Sequence, residues 1–213
     1  MQSNKRRGGV LVALGVALVL GALLLVGFNL AQENLAQRSS AEAITVLEKQ
    51  IPAAPDAPQE SPETPADEPQ AYTPPDYVLN PNMDMPIERI DGIEYVGILQ
   101  LPALSLELPI ASQWSYPVLR KAPARYSGSA YTQDLVICGH NYASHFGNLS
   151  ALEPGDPVAF VDMDGNVFQY QVAEQELLNA EDVEAMQEGD WALTLFTCTI
   201  GGKNRIVIRC DPA

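Results

Sequence analysis

The sequence predicts a mainly β domain, a closed or nearly closed barrel with short helices, preceded by an N-terminal transmembrane helix and a Pro-rich stalk. Three observations predict it. Short strand-like runs, separated by turn signals, fill the chain from residue 84 to 213. An uncharged apolar run covers residues 10–31. Between these two regions, Ile51 to Pro75 is rich in Pro, Ala, Glu and Asp and almost free of large apolar side chains.

The N-terminal segment comes first. Lys5-Arg6-Arg7 precedes an uncharged stretch from Gly8 to Gln32, whose core, Val10 to Ala31, is almost wholly Leu, Val, Ala and Gly. At about 1.5 Å per residue this run spans a hydrocarbon core of about 30 Å. Positive charge on the N-terminal side places residues 1–9 in the cytoplasm and the rest outside the cell membrane. A cleaved signal peptide is the competing reading. It calls for an apolar run of roughly 7–15 residues and a small-residue cleavage site, and neither pattern is met. Asn29 is read as interfacial.

Residues 32–83 read as a stalk, helical at first and then extended. Glu33 to Gln50 can continue the anchor helix. Ile51 to Pro75 cannot bury enough surface to offset its ordering entropy, and its prolines favour a semi-stiff spacer. The remaining residues, 84–213, are enough for one domain with its own core. The net charge is −15, with no basic cluster beyond the N-terminus, which argues against nucleic acid as a partner.

Within the domain, Tyr95–Leu101 and Ser105–Ile110 read as a strand pair around Pro102, and Leu135–Cys138 as a short buried strand. Val158–Val161 and Asn166–Val172 flank Asp162-Met163-Asp164-Gly165, whose Asp-Gly is a hairpin signal. Phe168, Tyr170 and Val172 alternate with Val167, Gln169 and Gln171, as in a half-buried strand. Helical pieces are expected around Phe146–Leu152 and Glu181–Gln187.

The chemistry lies near the C-terminus. Leu193-Thr194-Leu195-Phe196-Thr197-Cys198 is a strand-like run that delivers a thiol to its end. The loop Thr199–Asn204 contains Gly201-Gly202, and Arg205 opens the run Arg205-Ile206-Val207-Ile208-Arg209. A hairpin makes Cys198 and Arg205 neighbours. A nucleophilic sulfur beside a fixed positive donor is half of a covalent acyl-transfer site, and the missing half is a base. The chain has two histidines. His140 leaves the buried strand Leu135–Cys138 at its tip, where it can serve as general acid and base. His145 reads as a surface or capping residue. Arg209 shares the strand parity of Arg205 but lies about 13 Å farther along the strand, so Arg205 is chosen. Cys138 and Cys210 read as unpaired.

Taken in order, these segments resemble the sortases, cysteine transpeptidases of Gram-positive cell surfaces. Tyr95-Val96-Gly97-Ile98-Leu99-Gln100-Leu101-Pro102 with Leu108-Pro109-Ile110 is similar to the family's opening strand pair. Gly139-His140-Asn141, Phe146-Gly147-Asn148-Leu149 and Leu152-Glu153-Pro154-Gly155-Asp156 are similar to its histidine segment. Thr194-Leu195-Phe196-Thr197-Cys198 matches its T-L-x-T-C nucleophile motif, and Arg205 stands at its arginine. The resemblance implies catalysis by Cys198, His140 and Arg205, with Thr197 and Asn141 as substrate-binding candidates and with no cofactor or metal. It implies cleavage of an LPxTG-like sorting signal through a thioacyl-enzyme. The partners it implies are surface proteins with a C-terminal sorting signal, a cell-wall precursor amine, and the membrane. The chain ends at Ala213 without a C-terminal span, and no Asp-aromatic lid motif precedes the barrel. Pilin-polymerising members usually have both, so an anchoring or housekeeping type is expected. The alternatives are another extracytoplasmic cysteine peptidase or an L,D-transpeptidase-like enzyme, and a metal-binding or adhesive barrel. A metal site from Cys138, His140, His145 and Cys198 lacks common zinc spacing. An L,D-transpeptidase usually shows His-Gly-Cys with an arginine two residues on, which Cys198-Thr199-Ile200 lacks.

Overall fold

The computed structural model describes residues 2–52 and 74–213; most of the expected Pro-rich stalk, at 53–73, lies outside the described residues. Helix α1 covers Gln2–Gln50. The chain divides after Leu35 into two units. In the first, α1 is apolar enough to cross a membrane, with mean hydropathy 2.8 over its most apolar window. Every side chain from residue 11 to 30 is exposed.

The second unit, Ala36–Ala213, contains the end of α1 and the barrel. Ala36, Ser40, Ala43 and Leu47 are buried. Their spacing of four, three and four residues makes one stripe on the helix. Ala43 and Leu47 share a cluster with Tyr95, Ile98, Ala111 and Ala122. Part of the segment read from sequence as stalk is therefore packed on the domain. A short helix α2, Asp76–Leu79, follows. Its Tyr77 stacks on Tyr131 with ring centroids 4.7 Å apart.

Among the described residues, nine strands form one sheet. They are β1 Glu88–Ile90, β2 Ile93–Leu101, β3 Leu106–Ala111, β4 Ala124–Ser127, β5 Leu135–Gly139, β6 Pro157–Asp162, β7 Val167–Asn179, β8 Leu193–Cys198 and β9 Asn204–Pro212. Their order is β1-β2-β3-β4-β5-β8-β9-β7-β6, and β6 pairs back onto β2. That last pairing closes an eight-stranded barrel and leaves β1 as a flap on the first residues of β2. Closure removes the exposed edges that an open sheet would present.

Two apolar clusters use opposite faces of the strands. Leu99, Leu101, Leu135, Ile137, Phe160, Leu193, Leu195 and Ile208 belong to the barrel core. Val136, Cys138, Phe196 and Val207 belong to an outer layer with Leu119 and Met186. Successive strand residues point to opposite faces, so β5 is covered on both sides. This accounts for its unbroken apolar run.

Closure requires Gly97. It pairs with Ile110 of β3 and Asp162 of β6 at the seam. A Cβ there would lie 2.1 Å from the Val161 carbonyl oxygen and 3.0 Å from the Asp162 Cα. Backbone atoms cannot rotate away as a side chain can. Gly97→Ala is expected to lower stability by about 2 kcal/mol, the middle of the range for overpacking. Thermal melting reads it; an unchanged melting temperature would show that the seam yields freely.

The Asp-Gly hairpin between β6 and β7 is present, with Val161 opposite Val167. The Asp162 carboxylate accepts from the backbone N–H groups of Asp164 and Asn166, both at 2.9 Å. Strand β7 runs seven residues past the expected end at Val172. A register shift between Val172 and Glu174 breaks the two-residue period there and hid the continuation. The two expected helices reduce to 3-10 turns, Leu149–Ala151 and Glu184–Met186. Each lies in a short connection between strands, too brief for an α-helix to repay its nucleation. A short helix α3, Tyr116–Leu119, which the sequence did not announce, begins at Ser115 with Pro117 in its first turn.

Candidate active site

Strands β5 and β8 are parallel neighbours in register, with Cys138 opposite Phe196 and Gly139 opposite Thr197. Parallel strands end at the same rim, so the next residues, His140 and Cys198, emerge side by side. The Thr197 hydroxyl donates to the Gly139 carbonyl at 2.9 Å and ties the two strand ends together. Strand β9 returns antiparallel to β8 and sets Arg205 directly opposite Cys198. Facing residues in such a pair have Cβ atoms about 4.5–5.5 Å apart.

The β8–β9 loop is held by its own hydrogen bonds. The Thr199 N–H donates to the Asn204 carbonyl at 2.9 Å, and the Gly202 N–H donates to the Thr199 carbonyl at 2.8 Å. Gly201 and Gly202 have φ of +85° and +72°, a region open to glycine. Arg205 Nη1 donates to the carbonyls of Gly202 and Asn204 at 3.0 and 3.2 Å. One edge of the guanidinium is thereby fixed to the loop.

His140, Cys198 and Arg205 all line one groove of about 260 Å³ on the outer face of the barrel. Its wall is aromatic. Trp114 stacks on Tyr126 at 5.7 Å, and Tyr126 meets Phe196 edge-on at 5.3 Å. Val183 and Met186, from the turn before β8, line the groove as well. The sequence reading missed these groove residues. Trp114-Ser115-Tyr116-Pro117 carries a local aromatic signal, but only the fold sets it across from Phe196.

Burial pulls the His140 imidazole below its ordinary value, and the nearby charge of Arg120 acts in the same direction. The neutral ring is thus favoured, with one nitrogen free to accept a proton. Burial pushes Cys138 and Cys210 up to about 12. All three cysteines are free, and Cys198 is the one that is not buried.

The remaining candidates divide clearly. Arg209 is 3% exposed. It faces Thr194, four residues before Cys198 in β8. Its Nε bonds Glu176 at 2.8 Å, and its Nη1 donates to the Met186 carbonyl and Thr194 Oγ1 at 3.1 and 3.2 Å. Arg209 therefore clamps the Glu184–Met186 turn, and with it one groove wall, onto the barrel. Thr197 lines the groove but its hydroxyl is engaged with Gly139. Asn141 is exposed and is not among the groove residues. His145 corrects the sequence reading: it is fully buried, not a surface residue. It lies behind the His140 turn because the end of α1 covers it, with Ser40 Oγ 3.1 Å from Nε2. Among the described residues, no three His, Cys, Asp or Glu side chains are grouped to hold a metal ion.

A thiol, an imidazole and an anchored guanidinium at one rim can attack a carbonyl, move a proton and stabilise an oxyanion. Comparison with protein families finds a match to the sortase domain over residues 99–213. Among solved structures, Streptococcus pneumoniae sortase C is similar at 24% identity and TM-score 0.51, over 59% of this chain and 70% of that one. Clostridium perfringens sortase D5 transpeptidase is similar at 21% identity and TM-score 0.51, over 59% of this chain and 82% of that one. At such identities the structures share a fold. No curated protein matched the chain.

Proposed function

The chain belongs to the sortase family of cysteine transpeptidases, and on that premise we propose that it is a single-pass membrane enzyme. It cleaves an LPxTG-like sorting signal and transfers the surface protein to a cell-wall amine. In this reading residues 1–9 are cytoplasmic, 10–31 span the membrane, 32–83 lead to the catalytic domain, and 84–213 act outside. The candidate span in α1 and the charge of Lys5, Arg6 and Arg7 support that orientation.

The observation that carries the reading is the double register at the rim: Gly139 opposite Thr197, and Cys198 opposite Arg205. His140 takes the Cys198 thiol proton. The sulfur attacks the carbonyl carbon of the Thr in the sorting signal. Negative charge develops on the carbonyl oxygen, where the guanidinium of Arg205 stabilises it. The C–N bond breaks, His140 returns the proton to the departing Gly amine, and a thioester remains on Cys198. An incoming amine then attacks that carbonyl and loses a proton to His140; the Cys198 thiolate is expelled and takes that proton back, restoring the thiol and the neutral imidazole. Splitting one amide exchange into two acyl transfers avoids a single high barrier.

The direct test is acyl capture. Full-length protein mixed with an LPxTG-type peptide is expected to gain the mass of the acyl fragment on the tryptic peptide containing Cys198. A small amine should then discharge it as a transfer product. Peptide turnover with no adduct at Cys198 would overturn the mechanism. No turnover with any LPxTG-like peptide would overturn the substrate class.

A further inference from the structure

The buried pair Ser40–His145 has no part in the chemistry above, yet it joins three segments around His140. The turn that follows His140 is closed on itself: the Phe146 N–H donates to the His140 carbonyl at 3.1 Å, and the His145 N–H donates to the Tyr142 carbonyl at 2.9 Å. The Tyr142 ring lies 5.0 Å from His140 and 5.6 Å from His145, between the two imidazoles. The position of His145 thus constrains the turn that begins with His140.

Ser40, on the buried stripe of α1, donates its hydroxyl proton to the Lys121 carbonyl at 2.9 Å. A serine has one such proton. Its oxygen must then accept from His145 Nε2–H, at 3.1 Å. Lys121 closes the segment after α3, its N–H donating to the Val118 carbonyl at 2.8 Å. The same segment carries Arg120, whose charge reaches His140, and Tyr116 and Leu119, which line the groove. One hydroxyl therefore joins the His140 turn to the groove wall opposite.

We propose that Ser40 and His145 are positioning residues, through which the end of α1 holds His140 in its place at the rim. The helix preceding the barrel is then part of the active-site scaffold as well as a tether. Small residues at 36, 40 and 43 allow the close approach, and Ser40 and His145 are themselves buried, so water does not compete for their bond. The proposal rests on the role given to His140 above.

The test uses the full chain and the variants Ser40→Ala, His145→Phe and His145→Gln. The Gln amide nitrogen can stand where Nε2 stands and donate to Ser40, whereas Phe keeps bulk without a donor. Two quantities are read at matched melting temperature: kcat and KM for peptide transfer, and the NMR titration of the His140 ring. The chain has two histidines, so in His145→Phe the remaining imidazole is His140. Ser40→Ala and His145→Phe are expected to lower kcat about tenfold, a fraction of a general acid–base contribution, with KM within about twofold. The His140 titration should move upward as the apolar cover and Arg120 move away. His145→Gln should recover most of the loss in kcat. Unchanged kcat, or loss without recovery by Gln and with an unmoved His140 titration, would overturn the proposal. If His145→Phe fails to fold, Ser40→Ala, a one-atom deletion, decides alone. If the unaltered chain shows no turnover, the proposed function fails separately. The His140 titration in Ser40→Ala still decides this inference.

Discussion

Cys198→Ala is expected to abolish both cleavage and transfer of a sorting-signal peptide, by at least about a thousandfold, while the melting temperature stays within experimental scatter. The magnitude follows from removing a covalent nucleophile, after which only binding and oxyanion stabilisation remain. The fold should survive because Cys198 is the last residue of β8 and faces the groove, outside the barrel core. Neither other thiol can substitute. Cys210 is fully buried in the core cluster, and Cys138 lines the groove but is only 4% exposed. Burial holds both thiols up at about 12, so almost no thiolate forms at neutral pH. Cys138→Ala and Cys210→Ala should keep most activity after correction for lost packing. Peptide release and product transfer, followed by chromatography, measure all three. Equal loss from each variant with folding intact would point away from a single nucleophile.

Arg205→Ala and His140→Ala should each lower turnover by at least about a hundredfold, the scale for losing an oxyanion donor or a general acid. Arg205 is singled out by register: it faces Cys198, whereas Arg209 faces Thr194. Arg205→Lys should recover little. Two carbonyls already hold one guanidinium nitrogen at 3.0 and 3.2 Å, which leaves the rest of a planar fork for substrate. An ammonium presents a point charge with no such division of labour. Arg209→Ala should behave differently. It unmakes bonds to two backbone carbonyls, Thr194 and Glu176. The Glu176 side chain is 35% exposed and can be rehydrated, so the cost should be about 2–3 kcal/mol of stability. Its kinetic effect should fall on KM, through a loosened Glu184–Met186 wall. Thermal melts beside kcat and KM separate the two classes. A dead Arg209→Ala beside an active Arg205→Ala would reverse the assignment.

The local part of the site is legible in neighbouring residues. Cys198 and Arg205 are joined by six residues, and a hairpin that short has one sensible pairing. The Asp164-Gly165 turn and the β2–β3 pair are local in the same sense. The candidate membrane span is legible because a spanning helix is marked by a continuous run of apolar composition, with no partner needed. The rest of the site is non-local. The parallel pairing of β5 with β8, which brings His140 to Cys198, joins strands more than fifty residues apart in sequence. No local signal distinguishes a parallel neighbour from a distant strand. The burial of His145 was hidden for a related reason. Its cover includes Ser40, on the buried face of a helix 105 residues upstream in the chain. Small residues give a helix face little hydrophobic contrast, and a polar side chain shows itself as buried only when its hydrogen-bond partner is in place. Local chemistry follows from adjacent residues; the rim where His140, Cys198 and Arg205 meet follows from which strands the closed barrel brings together.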